Sequence, residues 1–162
     1  MMSNQLKMHK KISLANLYFN RFLAIRYGTA FFIFLNLYWA VFLISSMSFF
    51  SIMPIALLVL GVLASFEQIK LYRNHYNYLP YATLFYRSIL FTFSALIIIL
   101  YTPWYPLFFP FLKDTQVVLN TISAFLIGCV FIDFLMLKKL KKIQLNKDKH
   151  FQRIQAYQAI IN

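Results

Sequence analysis

The sequence has few of the residues from which most catalytic and metal sites are built. It contains one cysteine, Cys129, three histidines and four acidic residues in 162 positions. A single cysteine excludes an internal disulfide and any CxxC redox or zinc site. An HExxH motif, a nucleophile elbow, a glycine-rich phosphate loop and paired carboxylates within an apolar run are also missing. The pattern therefore favours a protein that is not an enzyme and that holds no metal or cofactor.

Charge is scarce too, whereas apolar residues are abundant. Charged residues make up 12% of the chain and hydrophobic residues 61%. A soluble domain of this size needs more polar surface than that. The net charge of +12 would suit nucleic acid, but the positive residues cluster at the ends of long apolar runs. This arrangement argues against nucleic acid and is typical of a membrane protein that meets anionic headgroups.

Four apolar runs are long enough to cross a bilayer as helices. The clearest is 117–137, which at about 1.5 Å per residue crosses a hydrocarbon core of roughly 30 Å. The other spans are predicted at about 27–47, 50–66 and 84–101. The first run lacks a small-x-small cleavage site at its end, so we expect it to stay in the chain as a span. The predicted fold is an all-α bundle in a single membrane domain.

The segments at the two ends of the chain predict amphipathic helices. Segment 1–26 mixes basic and apolar residues as in a helix that lies at the membrane interface, with docking to a protein partner as the alternative. The tail, 138–162, is basic and repeats apolar residues at helical spacing. The tail opens with lysines that are expected to contact anionic lipid: Lys138, Lys139, Lys141 and Lys142.

Lysine and arginine also predict how the chain is threaded. Fifteen of the sixteen lie in segment 1–26, in the polar stretch 67–87 or in the tail. The positive-inside rule then places both termini in the cytoplasm, with the spans in the cell membrane. Tyrosines between residues 72 and 86 are expected to form a belt at headgroup level, with a cytoplasmic binding surface as the alternative. The Lys-, Ile-, Asn- and Phe-rich composition is typical of a bacterial protein.

Segment 101–112, between the third and fourth predicted spans, is unusual. It contains three prolines and no charged residue. The prolines exclude a continuous helix. We expect an aromatic loop that lies flat on the outer surface, and the alternatives are a face that binds a partner or a lid over the bundle.

Polar residues within the spans are the candidate functional residues, because they are costly in hydrocarbon. Asp133 lies four residues before the end of the last span, about 6 Å below the interface. We predict that it pairs with Arg87, or joins a cluster with Glu67 and Lys70, as a clamp between helices. A proton or cation relay and a lipid-headgroup site are the alternatives. Asn36 is expected to hydrogen-bond to a neighbouring helix, with a substrate contact as the alternative.

Small residues predict where helices approach each other closely. Gly61 and Ser65 in the second span have a small-xxx-small spacing. In the last span, Asn120, Ala124 and Gly128 share one arc of the helix, away from the arc that carries the aspartate. We expect this small, polar face to pack on another helix, so that Gly128→Leu disrupts packing.

The leading functional interpretation is an accessory or scaffolding subunit that binds another membrane protein or complex. The alternative is a small homodimeric transporter or flippase-like protein with a polar lining of Asn36, Arg87 and Asp133. A third interpretation is an immunity-type membrane protector. The expected partners are an anionic bilayer and either a second membrane protein or a second copy of the chain.

Overall fold

In the computed structural model, which describes residues 2–71 and 77–161, the chain folds into helices joined by short turns; side chains are described at 13–71 and 77–159. A 3-10 turn covers Phe49–Ser51. The helices are α1 (Met2–Ser45), α2 (Ile52–Lys70), α3 (Pro80–Ile99), α4 (Tyr105–Phe108), α5 (Gln116–Gln144) and α6 (Lys149–Ile161). Four of them, α1, α2, α3 and α5, are long and apolar enough to cross a membrane. This confirms the predicted all-helical fold with four helices that are candidate membrane spans.

Two helices extend well beyond the predicted spans. α1 has 44 residues and continues through the predicted boundary at residue 26, because no proline interrupts it. Its length of about 66 Å is roughly twice the thickness of a hydrocarbon core. α5 likewise continues past residue 137, through the lysines, to Gln144. The basic segment and the first span are thus one helix, and the tail begins as part of the last span.

The hairpin between α2 and α3 is closed by a carboxylate. α3 begins at Pro80, where a missing backbone N–H is tolerated. Glu67 near the end of α2 accepts hydrogen bonds from the backbone N–H groups of Tyr81 at 3.3 Å and Ala82 at 2.8 Å. Those N–H groups have no partner within their own helix, so Glu67 caps α3 from outside. Residues 72–76 of the polar stretch lie outside the described residues.

The four long helices alternate in direction and define two ends of the bundle. At one end, named here the basic end, Arg26 of α1 donates to the carbonyl of Gln68 in α2 at 3.4 Å. Arg87 of α3 and Lys141 of α5 line one groove at this same end. At the opposite end, the loop end, α1 meets the segment between α3 and α5. The tail helix α6 packs on α1 at the basic end.

Segment 101–112 folds onto the loop end of the bundle. Three of its aromatic residues are buried: Tyr105, Phe108 and Phe109. The indole Nε1 of Trp39 donates to the carbonyl of Phe108 at 3.2 Å, and the ring of Phe111 stacks on Phe42 with centroids 4.9 Å apart. The expectation of a flat loop is therefore wrong, because these rings find apolar surface on α1. The alternatives, a face that binds a partner and a lid over the bundle, stay predictions.

Arg21 joins four segments at the basic end. Its side chain is 1% exposed, and its Nη2 lies 2.7 Å from Oδ1 of Asp148. The Nε donates to both oxygens of that carboxylate, at 3.1 and 3.0 Å. Nη1 donates to Oδ1 of Asn77, and Nη2 donates to the carbonyl of Ile143 and to Oδ1 of Asn146. One guanidinium thus links α1 to the segment before α3, the end of α5 and the start of α6.

The turn between α5 and α6 completes this cluster. Asn146 has a φ of 54°, a left-handed conformation that asparagine tolerates better than most residues. The turn brings Phe151 of α6 over the Arg21 guanidinium, 4.7 Å from the ring centroid. The tail therefore packs on α1 through a buried ion pair and an aromatic contact.

We predict that Arg21→Met lowers the free energy of unfolding by about 3–5 kcal/mol, because it leaves the Asp148 carboxylate buried without its partner. Arg153→Met, at an exposed position of α6, is the matched control and should change stability by about 0.5 kcal/mol or less. Thermal unfolding of both variants in lipid nanodiscs, followed by circular dichroism, makes the comparison. Equal effects would mean that the buried pair does not hold the fold.

Two glycines have opposite surroundings and allow a second test. A Cβ at Gly61 would lie 2.7 Å from Cγ1 of Ile33 in α1 and 3.1 Å from Cε2 of Phe85 in α3. A Cβ at Gly128 would meet no described atom within 4 Å outside its own helix. Gly61 therefore lies where three helices converge, whereas Gly128 lies in open space.

We expect Gly61→Ala to destabilise the bundle by about 1–3 kcal/mol, because the added methyl overpacks the contact with α1. Gly128→Ala should be neutral or slightly stabilising, because alanine favours helix more than glycine does. The test compares the unfolding midpoints of Gly61→Ala and Gly128→Ala in the same nanodiscs. A neutral Gly61→Ala would show that the Ile33 side chain moves aside without cost.

Candidate functional site

A connected set of polar side chains lies inside the bundle near its basic end. Thr29 of α1, Gln68 of α2 and Tyr86 of α3 are all buried. The amide Nε2 of Gln68 donates to Oγ1 of Thr29 at 2.7 Å, and Oη of Tyr86 lies 3.1 Å from the same Oγ1. Both hydroxyls also donate to the carbonyl of Ile25, at 2.9 Å each. These hydrogen bonds connect three spans, which is how polar groups stabilise helix contacts in lipid.

Gly28 makes room for this polar cluster. A Cβ at this position would lie 2.7 Å from Oη of Tyr86 and 3.1 Å from Sδ of Met136. Any larger residue would push the tyrosine hydroxyl away from the backbone of α1. α1, α3 and α5 therefore meet at Gly28, which has no side chain.

Asp133 faces the same part of the core from α5. It is 0% exposed, and it follows Leu126 and Cys129 along the buried stripe of that helix. Its carboxylate lies within electrostatic range of Tyr86. Neither of its oxygens accepts a hydrogen bond from any side chain or backbone group in the described part of the chain. Few buried polar atoms remain without a partner in native proteins, so this carboxylate is the most unusual group in the bundle.

The predicted ion pair between Asp133 and Arg87 does not form. Arg87 is exposed and lines an outer groove, whereas Asp133 is directed into the core. The predicted cluster with Glu67 and Lys70 is not formed either, because Glu67 caps α3 and Lys70 is exposed.

Asn36 is fully buried in the second half of α1, yet its hydrogen bond is local. Its Nδ2 donates to the carbonyl of Phe32 at 2.8 Å, one turn earlier in the same helix. Its Oδ1 has no partner among the described residues. The expected bond to a neighbouring helix is replaced by a bond within α1, because an amide side chain reaches the carbonyl four residues back.

The face of α5 that carries small residues points outward. Asn120, Ala124 and Gly128 are exposed, so this arc does not pack on the bundle as expected. The opposite arc, with Leu126, Cys129 and Asp133, is the buried one, and α5 packs on α3. In α2, Gly61 is buried, and the hydroxyl of Ser65 donates to the Gly61 carbonyl at 2.9 Å.

The remaining predicted residues divide between surface and core. Lys138, Lys141 and Lys142 are exposed and Lys139 is half-buried. Of the tyrosines assigned to an interfacial belt, Tyr78 and Tyr81 are exposed, Tyr86 is buried, and two others lie outside the described residues: Tyr72 and Tyr76. Tyr86 therefore does not belong to an interfacial belt, because it is part of the buried polar cluster.

Sequence reasoning missed most of the residues that hold the site together. Thr29 and Gln68 are single polar residues near the ends of apolar runs, where they carry no signal of their own. Gly28 lies one position before Thr29, and a glycine inside a span is the one feature that indicates a close approach. Asp148 was recognisable only as an acid in a basic tail, with its arginine far away in the sequence.

The chemistry open to this site is limited. Among the residues that the structure describes, no three His, Cys, Asp or Glu side chains come together to hold a metal ion. A lone buried carboxyl near the Tyr86 hydroxyl is suited to exchanging a proton or a hydrogen bond. Comparison of the chain with protein-family models, curated proteins and solved structures finds no match.

We predict that Asp133→Val leaves the protein as stable or makes it more stable by about 1–3 kcal/mol, because it removes a buried polar group that has no hydrogen bond. Asp148→Val is the control, since it removes the partner of a buried arginine and should be strongly destabilising. Thermal unfolding in nanodiscs measures both variants. A marked loss of stability in Asp133→Val would mean that the carboxylate has a partner after all and would restore the clamp interpretation.

Proposed function

We propose that this protein is a non-enzymatic accessory subunit of the cell membrane that binds another membrane protein. The observation that carries the proposal is the outward face of α5, named here the small face: Asn120, Thr121, Ala124 and Gly128, all of which are exposed. Faces of this composition favour close contact between spanning helices. The opposite side of α5 is already used for the contact with α3.

Gly128 supports a protein partner rather than lipid. Glycine inside a helix costs roughly 0.5–1 kcal/mol relative to alanine, through lost backbone entropy. Gly61 and Gly28 compensate for this cost with close contacts within the bundle, but Gly128 has no described neighbour within 4 Å outside its own helix. A second helix packed along the small face would approach α5 closely because Gly128 has no side chain, whereas mobile lipid chains gain little from that space.

The charge distribution supports an orientation for the complex. The basic end carries Arg26, Arg87 and the lysines of α5, whereas the loop end carries Lys113 beside Asp114. By the positive-inside rule the basic end faces the cytoplasm. The partner then has a span next to α5, and the exposed lysines Lys138, Lys141 and Lys142 face the cytoplasmic side of the complex.

The test is cross-linking combined with affinity capture of the tagged chain from its native membranes. A photo-reactive residue at Ala124 should form a covalent product with one particular membrane protein, in a stoichiometric amount. Gly128→Leu should reduce capture by about tenfold or more, because the larger side chain separates the helices. Mass spectrometry of the product identifies the partner and the contact.

Phe91→Leu is the matched control, because Phe91 is 79% exposed on a different span and its replacement should leave capture unchanged. Gly128→Leu has open space around it, so a loss of capture in that variant does not reflect misfolding. A product that joins two copies of the chain would favour the transporter described next. The absence of any product at Ala124 would contradict the accessory role.

A small homodimeric transporter is the second candidate, and two buried residues with unpaired acceptor atoms favour it. Three oxygen atoms accept no hydrogen bond from the described residues: Oδ1 of Asn36 and both carboxylate oxygens of Asp133. Unpaired acceptors of this kind are expected where a proton or a solute binds. Arg87 is exposed and would contribute only at the surface of a dimer. This candidate requires that Asp133→Asn abolishes a flux while the dimer persists.

A further inference from the structure

The groove between α3 and α5 at the basic end combines charge with apolar surface. It has a volume of about 530 Å³. Its cations are Arg87 from α3 and Lys138 and Lys141 from α5. The last two are three residues apart in the helix and therefore lie on one face. Two spans thus direct three positive side chains into a single opening.

None of these cations is neutralised within the described part of the chain. All four acids have other positions: Glu67 caps α3, Asp148 pairs with Arg21, Asp133 is buried and Asp114 lies at the loop end. Neither Arg87 nor Lys141 hydrogen-bonds to a described residue, and Lys138 lies over the ring of Phe134 at 5.0 Å. The groove therefore has an uncompensated charge of about three, which favours a ligand with negative charge.

The walls of the groove indicate what kind of anion fits. Leu90, Phe134 and Leu137 supply apolar surface on the side toward the spans, whereas Thr83 and Gln144 supply polar groups. Phe134 is 47% exposed and continues into the outer apolar surface of the bundle. A soluble phosphate compound would leave this surface in contact with water, but a phospholipid covers it with an acyl chain.

We infer that this groove is a specific binding site for an anionic phospholipid. The phosphate lies between Arg87, Lys138 and Lys141, and an acyl chain runs along Leu90 and Phe134. This site differs from general attraction of the lysines to the membrane surface, because it needs one arginine from α3 and two lysines from α5 in fixed positions. It is independent of the proposed function, which uses the outward face of α5.

The test compares two variants that remove the same charge. The groove variant carries Arg87→Gln, Lys138→Gln and Lys141→Gln, and the control variant carries Lys142→Gln, Lys147→Gln and Lys149→Gln. All six residues are exposed, so both variants should keep the unfolding midpoint of the native protein. General attraction to the membrane falls equally in the two, because each variant loses three positive charges.

Native mass spectrometry of protein released from nanodiscs counts the bound phosphatidylglycerol against phosphatidylcholine. The native chain and the control variant should retain phosphatidylglycerol, whereas the groove variant should bind it about 100-fold more weakly. Equal losses in the two variants would overturn the specific site and leave only a general surface charge.

A second measurement separates lipid from soluble phosphate. Pyrophosphate is added in excess before release from the nanodisc, and retained phosphatidylglycerol is counted again. Unchanged retention supports a lipid that is also held by its acyl chain. Displacement of the lipid, together with binding of pyrophosphate to the native chain and not to the groove variant, would assign the groove to a soluble phosphate compound instead.

Discussion

Apolar side chains gain little by leaving lipid for another helix, so a membrane bundle depends on close backbone approach and on hydrogen bonds between helices. This chain has only three glycines, and two of them lie at such approaches. Gly28 admits the Tyr86 hydroxyl, and Gly61 admits the side chain of Ile33. The Tyr86 hydroxyl therefore reaches the turn of α1 in which the Thr29 hydroxyl accepts a hydrogen bond from the Gln68 amide. One polar cluster and two close contacts thereby hold α1, α2 and α3 together.

Beyond the predicted spans, a buried ion pair holds the helices together. Arg21 uses its Nε, Nη1 and Nη2 atoms on oxygen acceptors from three later segments, which compensates for the loss of water around a buried guanidinium. The contact fixes α6 against α1 and holds the end of α5 in place. α5 continues as one helix past the apolar core, and Lys138 and Lys141 line the same groove as Arg87.

α5 therefore has three surfaces with different roles. Its buried stripe packs on α3 and carries Asp133, a carboxylate without a hydrogen-bond partner in the described chain. Its outward face carries Gly128 and the other small residues, which we propose to be the contact with a partner. The side toward Arg87 forms the cationic groove that we assign to a phospholipid. All three surfaces belong to a single helix.

The sequence by itself determined the helices, because length, hydropathy and proline positions act locally: four apolar runs became four long helices, and α3 begins at Pro80. Helical periodicity also separated the faces of α5, but it did not determine which face meets the bundle. That choice depends on the fit of all spans at once, and it reversed the expected roles of Gly128 and Asp133. The pair of Arg21 and Asp148, 127 residues apart, was likewise decided by tertiary structure alone, since no local pattern in a sequence specifies a contact at that distance.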